Sequence, residues 1–134
     1  MNKWIKFIAA PLVLVSGLMS GCATQNATVD IHGEVWYRER IALPPDAVLT
    51  VQLKDVSRAD APAEVIAEMV RDDVSTPSTF SFVMARDQFE PGHTYAIGAR
   101  IMLGDQLLFI NTQAYNVDLN ASEPISVLLN KVGH

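Results

Sequence analysis

Val48–Asp55 (VLTVQLKD) decides the fold class. Leu49, Val51 and Leu53 fall on one side of an extended chain and Thr50, Gln52 and Lys54 on the other, because successive strand side chains point to opposite faces. A period of two with a single apolar face marks a half-buried strand. The same alternation returns on either side. Residues 29–37 form a first strand. Phe80, Phe82 and Met84 alternate with Ser81 and Val83, and Tyr95, Ile97, Ala99 and Ile101 alternate with Gly98 and Arg100. Short apolar runs at residues 117–119 and at Ile125, Val127 and Leu129 complete the set.

Turn chemistry separates these runs at intervals of about ten residues, the spacing of an all-β sandwich or barrel. Pro44, Pro45 and Asp46 make an extended elbow, since each proline restricts its own φ and its predecessor. Glu90–His93 (EPGH) has Pro and Gly at the central positions of a type II turn. Gly104 and Asp105 are a two-residue hairpin signal leading into residues 106–112. Glu64–Arg71 (EVIAEMVR) admits two readings. As a helix it would be capped by Asp60, with Pro62 in the first turn and Val65, Ile66, Met69 and Val70 on the apolar face. As a strand it would place Val65, Ala67 and Met69 together. The strand is favoured, because so short a helix is marginal and its neighbours are extended. The expected fold is all-β: a single small antiparallel β-sandwich of seven or eight strands, over residues 29–134.

The N-terminus belongs to a different class of segment. Lys3 and Lys6 precede an uncharged, mostly apolar run over residues 7–18, too short to span roughly 30 Å of hydrocarbon. That length suits the h-region of a signal peptide. Leu18, Met19, Ser20, Gly21 and Cys22 then look like a lipobox, the pattern read by bacterial prolipoprotein processing enzymes. Residues 1–21 are expected to be a cleaved signal peptide and residues 22–28 a lipidated N-terminus and polar tether. The sole cysteine of the chain would carry diacylglycerol and an N-acyl chain, so Cys22 is the expected lipidation site and the membrane an expected partner. No other cofactor is expected. Because Ala23 is not aspartate, enterobacterial-type sorting implies the outer membrane, with the domain facing the periplasm.

Removing residues 1–21 leaves eight Lys and Arg against fifteen Asp and Glu, a net charge of −7. So acidic a domain, with no basic run, is a poor match for phosphate backbones, and no nucleic-acid partner is expected. No catalytic residue is expected either. The sequence has no G-x-S-x-G elbow, no phosphate loop, and no C-x-x-C or H-E-x-x-H. His32, His93 and His134 lack ligand spacing, and Asp72 and Asp73 would point apart, so no metal site is expected. The sequons at Asn26 and Asn120 carry no weight in a bacterial lipoprotein.

One stretch invites a binding reading. In residues 33–41 (GEVWYRERI), Val35 and Tyr37 share one face while Glu34, Trp36 and Arg38 share the other. With Val35 and Tyr37 inward, Trp36 lies exposed beside Arg38, and these two residue types dominate binding hot spots. Trp36, Tyr37 and Arg38 are the candidate partner-binding residues. The structural alternative packs Trp36 under a loop or beneath the Arg38 stem.

Residues 37–68 (YRERIALPPDAVLTVQLKDVSRADAPAEVIAE), with residues 91–101 (PGHTYAIGARI) and 107–115 (LLFINTQAY), resemble the YbaY/YscW-type lipoproteins. The stand-alone YbaY-like branch is the nearer of the two. The resemblance implies a β-sandwich on a lipid anchor and supports the strand reading of Glu64–Arg71. In the pilotin branch it implies binding a terminal segment of a secretin subunit. The expected function is that of a non-enzymatic envelope lipoprotein, a pilotin-like chaperone or docking module for another envelope protein. The alternative is a glycan- or small-ligand-binding module built on Trp36, Tyr37 and Tyr115.

Overall fold

The computed structural model describes residues 28–133, and within them eight strands follow one another with almost no helix. They are β1 (Thr28–Tyr37), β2 (Val48–Asp55), β3 (Glu64–Arg71), β4 (Ser78–Ala85), β5 (Tyr95–Leu103), β6 (Gln106–Ile110), β7 (Tyr115–Asn116) and β8 (Ile125–Lys131), with one 3-10 turn at Arg86–Gln88. The expected signal peptide and the expected lipidation site Cys22 lie outside the described residues, and Thr28, placed in the tether from sequence, opens β1. Glu64–Arg71 is a strand. The strand expected at residues 117–119 is replaced by β7, two residues earlier. The chain turns at residues 118–121, where the Ala121 amide donates to the Asp118 carbonyl at 3.1 Å, so no ladder forms there.

The sandwich is the larger correction. The strands form one sheet in the order β3-β2-β5-β6-β8-β1-β4, with β7 on β5, curled into a nearly closed barrel. Sharing of β8 causes this. Residues Ile125 to Leu129 pair with Gly33 to Tyr37 of β1, and the far end of β8 pairs with β6 through Lys131 and Asn130. One strand hydrogen-bonded into both halves makes them a single surface. The β1–β8 pairing is parallel, unlike every other ladder here, so the expected purely antiparallel arrangement is corrected as well.

The inward rows are those given by the period of two. Leu49, Val51 and Leu53 of β2, Val35 of β1 and Ile101 of β5 are wholly buried, and Phe80, Ile97, Phe109, Val127 and Leu129 join them. The turns match their residues. Gly92 has φ +82° and Gly104 φ +59°, values that glycine adopts without a Cβ penalty. Gly33 is needed for another reason. A Cβ there would lie 1.9 Å from the Ile125 carbonyl oxygen, so only glycine lets β8 cross this close to β1.

The barrel stops short of closing. Among the described residues β3 pairs only with β2, and β4 only with β1. These two end strands are consecutive in the chain, joined by residues 72–77, yet no ladder links them among the described residues.

Candidate functional site

β1 carries the three binding candidates, and strand geometry separates them. Tyr37 points inward, stacked on Phe109 with ring centroids 4.4 Å apart and planes at 18°. Its hydroxyl donates to the Ile41 carbonyl at 2.8 Å, closing the segment that follows the strand. Tyr37 therefore caps the core. Trp36 points outward, half-buried, and its indole N–H donates to Ser126 Oγ at 2.8 Å. Arg38 lies just beyond the strand and is exposed. The structure thus leaves Trp36 and Arg38 at the surface and takes Tyr37 out of their patch.

Trp36 stands next to a cavity of about 590 Å³ through its bond to Ser126. Gly33, Phe80 and Ile125 form the apolar part of that lining, while Glu34 and Arg71 supply opposite charges. Its walls come from β1, β4, β8 and the last residue of β3, so no short stretch of sequence announces it. The other aromatic candidate, Tyr115, accepts the Leu128 amide on its hydroxyl at 2.9 Å and is half-buried. Of the three aromatics suited to a sugar platform, only Trp36 remains on the outside.

A polar cluster occupies the end of the barrel where β1 begins. Asp55, the last residue of β2, accepts from the Ser57 amide at 3.0 Å and from its hydroxyl at 2.6 Å. Its other oxygen meets His93 Nδ1 at 2.6 Å. The Thr94 amide donates back to Ser57 Oγ at 2.8 Å. Bonds from Ser57, then from His93, hold the Asp55 carboxyl down at about 2, below its ordinary 3.8, while Asp55 raises His93 above 6.5. Although Ser, His and Asp meet here, Ser57 Oγ bonds to the carboxylate rather than the imidazole, so the Ser–His–Asp order of a nucleophilic triad is not formed. The cluster is a latch between two loops. Asp55 and His93 lie 38 positions apart, and only a partnered turn residue could have hinted at the pairing. Among the described residues no group of three or more His, Cys, Asp or Glu is placed to hold a metal ion.

The remaining surface feature is the pair of open strand edges. Val65 and Val70 on β3 and Val83 on β4 are exposed large apolar residues, 45%, 58% and 64% accessible. Each lies on a strand with one unpaired side.

Comparison with known proteins gives this geometry a context. Residues 26–129 match the family described as type III secretion system lipoprotein chaperone (YscW). Lipoprotein YbaY of Escherichia coli (strain K12) is 41% identical over 93 residues, covering 66% of this chain and 49% of that protein. The chain spans about half the length of that relative. Among solved structures, an alternative pilotin from the type II secretion system of Vibrio cholerae is similar with a TM-score of 0.66 at 36% identity. The likeness covers 78% of this chain and 99% of the pilotin.

Proposed function

The chain belongs to the YscW family of lipoprotein chaperones, and from that premise we propose that it is a non-enzymatic lipoprotein that docks another envelope protein. Lipid on Cys22 anchors it in the outer membrane, and the barrel faces the periplasm. Three acyl chains, at roughly 0.8 kcal/mol per buried CH₂, would hold it there effectively permanently. The observation that carries the docking role is the open barrel. Among the described residues, an all-β domain whose family is of chaperone type leaves two strand edges unpaired, and an unpaired edge presents a ready row of amides and carbonyls to a partner.

The test separates anchor from cargo. Cys22→Ala should release a folded domain into the periplasm, and a dependent envelope protein should leave the outer-membrane fraction with it and in a deletion strain alike. Retention of the Cys22→Ala protein in the membrane would overturn the anchor. An outer-membrane protein content identical in all three strains would overturn the docking role. A glycan-binding role would rest on Trp36 and the cavity beside Ser126, and no sugar-induced change in Trp36 emission would end it.

A further inference from the structure

The two open edges are not equivalent. β3 is bulged against β2, where the register shifts between Leu53 and Lys54, and it carries Glu64, Glu68 and Arg71. Bulges and charges are the devices by which natural sheets prevent an edge from pairing. β4 (STFSFVMA) has the same length of eight residues with no charge, no proline and no glycine, and its register with β1 runs unbroken from Val35↔Ser78 to Thr28↔Ala85. Its inward residues Phe80 and Phe82 are buried, whereas Val83 on the outward side is 64% accessible. Nothing on this strand opposes the addition of another.

We propose that the free edge of β4 is the docking site, and that it takes an extended, uncharged segment of a different envelope protein as an added strand. The inference rests on the docking role above and assigns it to one strand. Chemistry of the occupant follows from what it would meet. Inward positions would continue the row of Phe80, Phe82 and Met84 and face a barrel interior that the half-buried Ile66, Ala67 and Met69 of β3 also line, so they must be apolar. Outward positions would lie beside Thr79, Ser81 and Val83, where small polar or β-branched residues fit. The partner segment is therefore an alternating strand of about seven residues.

A second copy of this chain is the obvious competitor, and the anchor argues against it. Thr28 pairs with Ala85, so the tether enters at the C-terminal end of β4. Six residues from Cys22 to Thr28 reach at most ~20 Å, whereas an eight-residue strand is ~26 Å long. Two β4 edges paired antiparallel would point their anchored ends apart by that strand length, beyond the reach of the second tether. Both copies would have to incline their strands well away from the membrane normal, bringing two domains of net charge −7 toward each other and toward a surface carrying anionic lipid.

The experiment places a photoreactive benzoylphenylalanine at Thr79, Val83, Val70 or Trp36 of the full lipidated chain in living cells. Crosslinked peptides are then mapped by mass spectrometry. Defined adducts from Thr79 and Val83, and none from Val70, on an alternating apolar segment of another envelope protein support the proposal. Val83→Lys should then reduce the Thr79 adduct roughly tenfold, the size of one moderate contact. A domain with an unchanged melting profile shows that the lysine blunted the edge rather than the fold. Adducts confined to Trp36 or Val70 overturn the β4 assignment and leave docking standing. Capture of a second copy of this chain overturns the occupant. Absence of defined adducts at all four positions overturns both readings.

Discussion

β3 and β4 end the same sheet, have the same length and each use one side only, yet their residues treat the unused side in opposite ways. β3 is exposed along most of its length, carries three charges and is bulged. β4 alternates buried and exposed residues without a break and is charge-free. The difference shows that an open edge is tolerable where charge and irregular register make pairing costly. An edge that lacks both is the one proposed above to accept a partner, because solubility alone would favour blunting both.

Mutations can sharpen that contrast. Removing an inward side chain tests how firmly each edge is held by the core. Phe80→Ala on β4, at 2% accessibility, should destabilise the domain by about 3–5 kcal/mol in urea unfolding. Met69→Ala on β3, already half-buried, should cost about 1–2 kcal/mol, since part of its surface is in water before mutation. Equal losses would mean the two edges are anchored alike. Next in size is Gly33→Ala, whose methyl would drive the Ile125 carbonyl off β1 and loosen the junction supporting β4. A loss of about 2 kcal/mol is expected, and an unchanged denaturation midpoint would contradict the close crossing.

The latch reports on β3, because Asp55 ends β2 opposite Glu64, the first residue of β3. Asp55 is lowered to about 2 from 3.8, so its contribution is complete above 3.8 and fades as pH falls toward 2. His93 is raised above 6.5, so its contribution is complete below 6.5 and is lost as pH rises through the folded value. The pair is therefore at full strength between 3.8 and 6.5. The melting-temperature difference between the native domain and Asp55→Asn should peak in that window and shrink on both sides. A difference independent of pH would remove the ionic role. The smallest effect concerns the edges themselves. Val83→Lys and Val70→Lys, both at exposed sites, should each change stability by less than about 0.5 kcal/mol. Only Val83→Lys should slow aggregation of the unlipidated domain, followed by light scattering. Equal slowing by both would erase the distinction.

Much of the strand layout was legible because a period of two survives any tertiary arrangement. Leu49, Val51 and Leu53 had to face one way whatever lay opposite, and the ambiguous Glu64–Arg71 was resolved by its extended neighbours. The binding patch was less legible. Alternation correctly put Val35 and Tyr37 inward and Trp36 outward, but it could not show Tyr37 occupied by Phe109 and Ile41, or Trp36 by Ser126. Those partners lie on β6, β8 and a loop, and a local pattern holds no information about them. Asp55 and His93 were likewise invisible as a pair, since each alone reads as an ordinary turn residue.

By itself the sequence determined that the domain is made of short strands, which side of most of them is apolar, and where most of the turns fall. These are consequences of local sterics, side-chain alternation and composition. Tertiary structure alone decided which strands are neighbours. That β8 runs parallel to β1 and also bonds β6 turned two expected sheets into one curled surface with two free ends. Pairing depends on loop paths and on contacts such as Gly33 against Ile125, more than ninety positions apart in the chain, and periodicity is the same for every register those contacts reject.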